Sequence, residues 1–208
     1  HLTAYQDADY AARHANLVAR AQAAESRQAK GRNGLTEAVA RNYFKVLAIK
    51  DEYEVARLYA DPAFHERIGA TFEGVERLEV LLAPPLISRP DPKTGMLKKR
   101  AYGPWVFGLF RLLAGLKGLR GGTWDIFGRN AERRAERALI ADYEETVAAL
   151  LESLDQDNHV LAVEIASLPE QIRGYGPVKE RNRVQTLAQR DILMERFKSD
   201  QPDASAAE

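Results

Sequence analysis

The stretch from Tyr102 to Gly122, YGPWVFGLFRLLAGLKGLRGG, limits the possible folds more than any other, because it is the most apolar run in the chain. It reads as a core helix over about 104–118. Pro104 suits the first helical turn, where its missing N–H is no loss, and Gly118, Gly121 and Gly122 offer several ways to end the helix. Between them Trp105, Val106, Phe107, Leu109, Phe110, Leu112, Leu113 and Leu116 cover nearly the whole circumference. A helix that is apolar all round is buried on all sides or lies in a membrane. Arg111 and Lys117 interrupt a run already shorter than the roughly 20 apolar residues needed to span a bilayer. Burial inside a mostly helical domain is the expectation.

A chain of 208 residues can build one sizeable core, or one domain with an appended arm. Thirty basic and thirty acidic side chains cancel, so the overall charge gives no reason to expect nucleic acid or a membrane surface as a partner. Without cysteine the chain has no disulfides, thiolate zinc sites or thiol nucleophiles, and no four-cysteine set for an iron–sulfur cluster. Cysteine-free composition fits a cytoplasmic protein. His1 to Tyr10 is polar and lacks the apolar core of a signal peptide. Opening at His1 without a methionine, the chain reads as a piece of something longer.

Residues 3–29 are patterned as a helix with a thin apolar stripe, Tyr10, His14, Leu17, Val18 and Ala21, followed by a flexible QAKGRNG turn. Residues 1–30 therefore read as an arm against a neighbouring domain, and 35–198 as the helical domain proper. Thr36 is the expected cap of a helix running to about Leu58, on which Lys50, Glu54 and Arg57 are spaced either for an internal ion network or for snorkelling to a solvated edge. Asp61-Pro62 marks a second helix start, with Phe64, Ile68 and Phe72 on one face. From Arg77 to Leu82 the period changes to two, and Asp91-Pro92-Lys93-Thr94-Gly95 is a turn sequence, so one small hairpin or meander is expected over about 76–102. After a loop with two aromatic residues expected to fold back on the core, Asn130 caps a long helix with a stripe at Leu139, Tyr143, Val147 and Leu150. Two more helices follow, the last opened by Pro177, and then a polar tail, 199–208, expected to be disordered.

The four histidines, His1, His14, His65 and His159, are scattered singly and show no metal-ligand spacing. There is no GxSxG elbow, no GxxxxGK phosphate loop and no GxGxxG after a strand. No catalytic or metal-binding residue is assigned. One feature suits an anion: Lys98, Lys99, Arg100, Lys117 and Arg120 flank the apolar run, and Arg173 lies beside Gly174 in a bend whose backbone N–H groups could also face a phosphate. Coenzyme A would fit such a patch, and a solvated basic rim is the plainer reading.

Ala38 to Tyr59 (AVARNYFKVLAIKDEYEVARLY), Glu132 to Glu144 (ERRAERALIADYE) and Leu168 to Asn182 (LPEQIRGYGPVKERN) resemble the C-terminal domain of the fused indolepyruvate ferredoxin oxidoreductases. His1 to Ala24 resembles the segment joining that domain to the gamma-type catalytic domain. The resemblance implies a parent enzyme that oxidatively decarboxylates aryl 2-oxoacids to acyl-CoA, using thiamine diphosphate and iron–sulfur clusters, with ferredoxin as electron acceptor and a homo-oligomeric assembly. With no cysteine and no GDG motif, this chain should hold neither cofactor itself. Two positions depart from the family pattern: Ile49 stands where an aromatic residue precedes KDEYEVARL, and Pro177 where a histidine follows IRGYG. The resemblance thus implies a structural and interaction domain without catalytic groups. A coenzyme A module of the same enzyme and a freestanding helical adaptor are the alternatives.

Overall fold

The computed structural model describes residues 1–83 and 98–199, which are mostly helical, with nine α-helices and one antiparallel strand pair. The hairpin turn expected at 91–95, the residues from Leu86 to Arg89 and the tail beyond Ser199 lie outside the described residues. Contacts group the chain into two compact units, the first made of residues 1–3, 8–48 and 135 onward, the second of 4–7 and 49–134. This division differs from the expected boundary near residue 30. The short helix α1 (Leu2–Tyr5) is divided by this grouping, its first two residues going with the first unit and its last two with the second.

The first unit holds α2 (Ala8–Gln28), α3 (Leu35–Leu47), most of α7 (Ala131–Glu152), α8 (His159–Ser167) and α9 (Pro177–Ser199). Leu17, Ala21 and Ala24 recur at helical spacing and bury one side of α2, and α2 packs along α3. The helix read as an arm, α2, lies in one unit with α3, α8 and α9. Its Tyr10 hydroxyl donates to the Leu47 carbonyl at 3.2 Å. On α3 the buried Val39, Tyr43, Val46 and Leu47 face inward, and Tyr143, Val147 and Leu150 do so on α7. The Asp155–Asn158 turn closes itself: Asp155 Oδ1 accepts from the N–H groups of Asp157 and Asn158, each at 2.8 Å. After a 3-10 turn over Leu168–Gln171, Gly174 and Gly176 take positive φ, and Pro177 opens α9 as expected.

The second unit contains α4 (Glu52–Ala60), α5 (Pro62–Thr71), β1 (Val80–Leu82), β2 (Arg100–Tyr102) and α6 (Val106–Gly115). The helix expected to continue from 35 to 58 is two helices, because Asp51 stops the chain in an extended conformation and accepts from the Glu54 N–H at 2.8 Å, capping α4. Lys50 therefore sits exposed in the connector, while Arg57 and Glu54 form the expected pair at 2.7 Å. Asp61 caps α5 as the sequence indicates, accepting from Ala63 N–H at 2.9 Å. β1 pairs with β2 in the register Val80↔Tyr102, Leu81↔Ala101, Leu82↔Arg100, shorter than the expected strand from Arg77. Val106, Phe107 and Phe110 of α6 bury against Ala56 and Val80, and the Tyr59 ring stacks on Phe110 at 5.3 Å.

Candidate functional site

Two of the cations expected in an anion patch are engaged within the fold. Arg120 is consumed internally: its Nε and Nη2 donate to the Asp51 carboxylate at 2.5 and 3.0 Å, its Nη1 donates to the Tyr5 carbonyl at 2.6 Å, and its guanidinium lies 3.7 Å from the centre of the Tyr5 ring. Desolvation opposes the charge, but Asp51 outweighs it and holds Arg120 above its ordinary pKa. Lys117 Nζ donates to the Ala4 carbonyl at 2.9 Å. Lys98, Lys99 and Arg100 are exposed on and before β2. Arg173 belongs to the other unit, where its Nε donates to the Glu170 carbonyl at 2.7 Å.

Two carboxylates in the first unit, the buried Glu25 and the half-buried Glu144, are likewise committed to structure. Glu25 accepts from the Leu35 N–H at 2.7 Å, the Thr36 N–H at 3.0 Å, the Thr36 hydroxyl, and His159 Nε2 at 2.8 Å. It takes the place of an N-cap side chain for α3, whose own cap residue is Gly34, and Thr36, expected to be the cap, lies one residue inside the helix. Burial alone would raise the Glu25 pKa, but the Thr36 and His159 hydrogen bonds reverse the sign and lower it. Glu144 accepts from Arg13 Nε and Nη2 at 2.6 and 2.7 Å and from the Tyr43 hydroxyl. Burial and this carboxylate together push the Tyr43 hydroxyl far above its ordinary pKa. Sequence separations of more than a hundred residues hid the Glu25–His159 contact and the Arg13–Glu144–Tyr43 cluster.

In the second unit Asp125 accepts from the Gly121 and Gly128 N–H groups, each at 2.8 Å, and from the Tyr53 hydroxyl, which burial pushes up to about 12. Asp125 thereby ties the 121–128 loop. Phe127 folds back edge-on to Tyr53 at 5.5 Å, as expected of this loop, whereas Trp124 is exposed. Among the described residues no group of three or more His, Asp or Glu could hold a metal ion. A cavity of about 20 Å³ lined by Tyr143, Thr146, Ile165, Ile172 and Thr186 has room for about one water.

What stands out is α6. Among the described residues sixteen large apolar side chains are exposed, and ten of them lie in the second unit. Four of these form one stripe on or just flanking α6: Trp105 at 65 %, Leu109 at 49 %, Leu112 at 64 % and Leu116 at 41 % exposure. At 3.6 residues per turn they fall within about 60° of arc, opposite Val106, Phe107 and Phe110. Full burial of the apolar run, expected from its composition, is therefore replaced by burial of one face. The two small strands and α4 cover that face, and the 4-3-4 spacing of the exposed stripe was the signal that it forms a face of its own. With about 150–250 Å² per large side chain, the stripe exposes on the order of 400 Å², the size of patch that is often functional on a monomer. No helix among the described residues is long and apolar enough to cross a membrane.

Fold and surface together define a mostly helical protein with one apolar helix face open to solvent. The chain belongs to the family described as Family of unknown function (DUF6537), whose model matches residues 1–191. No curated protein matches the chain, and no solved structure does.

Proposed function

We propose that this chain is the C-terminal structural and interaction module of an indolepyruvate-type 2-oxoacid ferredoxin oxidoreductase, docking through the outer face of α6 against the rest of that enzyme. The observation that carries the docking role is the exposed stripe Trp105, Leu109, Leu112 and Leu116. Its burial would remove on the order of 400 Å² of apolar surface from water, about 10 kcal/mol before association costs of roughly the same size. Such a patch supports a contact within a larger assembly better than a tight free-standing complex.

The identity of the parent enzyme rests on the resemblance of residues 38–59, 132–144 and 168–182, and on no feature of the site. The ionisable groups inside the fold support a structural role, since the buried Asp51 and Glu25 and the half-buried Glu144 each accept from several donors. The thiamine and cluster chemistry of the parent would belong to its other domains. Mass spectrometry of the intact native polypeptide, with iron and thiamine assays on the same sample, tests the reading. A polypeptide several times longer carrying both cofactors is expected. A native chain of about this length with neither would overturn it and leave a helical adaptor.

A further inference from the structure

The α6 face has an asymmetry that specifies what covers it. Gly108 and Gly115 lie on one edge of the apolar stripe, seven residues apart, and a Cβ added to either would meet nothing within 4 Å. Among the described residues nothing explains them by packing, and glycine inside a helix costs stability relative to alanine. Together with the ridge of Leu109, Leu112 and Leu116 they make a shallow groove that lets another helix backbone come close. A bilayer surface would gain nothing from such a notch.

Charge narrows the occupant further. From Lys98 to Trp124 there is no acidic residue, and with Arg120 paired to Asp51 and Lys117 engaged by the Ala4 carbonyl, Arg111 is the exposed cation on α6. Arg111 is exposed beyond the glycine edge, so the rim of the groove on that side is cationic. Two copies of α6 packed on each other would bring like charges together, which is unfavourable. A helix with an apolar stripe and a carboxylate flank would complement both features.

We infer that the groove beside Gly108 and Gly115 receives an acidic amphipathic helix from the rest of the native polypeptide, seated on Leu109 and Leu112 with its carboxylates toward Arg111. The inference rests on the docking reading above but fails separately. That reading falls if Trp105 is as open in the native polypeptide as in this chain, whereas this inference is decided on the isolated chain alone.

The test uses the 208-residue chain with Trp124→Phe, so that Trp105 is the remaining tryptophan and its emission reports on the face. The probes are a helical peptide of about five turns with a leucine stripe and glutamates elsewhere, and its lysine counterpart. A saturable blue shift with the glutamate peptide is expected, at least about tenfold tighter than with the lysine peptide and weakened by salt. Arg111→Glu should narrow or reverse that preference. Gly108→Ala with Gly115→Ala should weaken binding while raising the melting temperature, since the helix improves as the notch fills. Equal affinity for the two peptides would overturn the inference. So would binding of neither, a shift produced only by phosphatidylcholine–phosphatidylglycerol vesicles, or a sedimenting dimer that protects Trp105.

Discussion

Replacing Glu25 by alanine removes a carboxylate that serves as the N-terminal cap of a helix ten residues further along the chain. Four donors lose their acceptor at once: the Leu35 and Thr36 N–H groups, the Thr36 hydroxyl and His159 Nε2. Loss of a cap costs about 1 kcal/mol. Removing the charged acceptor from His159, which is buried at 3 % exposure, adds about 2–3 kcal/mol because its desolvated donor is left facing a cavity. The sum, about 3–4 kcal/mol, lowers the melting temperature by roughly 10 °C at about 2–4 °C per kcal/mol for a chain of this size. Urea denaturation followed by circular dichroism measures the loss, and hydrogen exchange at the Leu35 and Thr36 amides locates it. Glu25→Gln, which keeps one acceptor oxygen, should lose about half as much. A Glu25→Ala chain within about 1 kcal/mol of the parent would refute the capping argument.

Stability should also depend on pH through Glu25 and Glu144, whose pKa values in the fold are held below the ordinary carboxylate value. Their contribution is complete above that ordinary value, near 4.5, and is lost as pH falls through the lowered ones, so Glu25→Gln should flatten the acid limb of a stability–pH curve below about pH 4.5 while leaving its slope at neutral pH unchanged. Arg120→Met strands the buried Asp51 and should cost about 3–5 kcal/mol in urea unfolding; a loss below 1 kcal/mol would mean that Asp51 is rehydrated instead. Gly174→Ala places a Cβ 2.9 Å from Val178 Cγ1 at a φ of +100°, for a loss of about 2 kcal/mol that Val178→Ala should partly restore, and an unchanged melting temperature would argue against this bend.

Much of the architecture is written locally. Asp61-Pro62 caps α5, Asn130 Oδ1 accepts from the Arg133 N–H at 2.8 Å to start α7, and Pro177 opens α9, each a short-range signal that needs no partner from elsewhere. The break between α3 and α4 was legible too, since Asp51 precedes Glu54 at capping distance, but the apolar periodicity running through Val46, Leu47 and Tyr53 masked it. Glu25 with His159 and Arg13 with Glu144 could not be read, because nothing in either residue's neighbourhood encodes a partner more than a hundred positions away. The α6 face was misread for a different reason. An apolar circumference predicts burial only if every face has a neighbour, and among the described residues α6 has neighbours on one side. Of the cations near it two, Lys117 and Arg120, are engaged by the backbone of residues 4–5 and, for Arg120, by Asp51, partners that spacing along the chain did not disclose.

The docking face is tested most directly by oxidative footprinting of Trp105, read by mass spectrometry on the tryptic peptide from Ala101 to Arg111, in the isolated chain and in the native polypeptide. Fast oxidation in the isolated chain and strong protection in the native polypeptide are predicted, with the exposed Trp124 as an internal reference. Equal oxidation of Trp105 in both would contradict the account, because the apolar face of α6 would then have no partner to cover it.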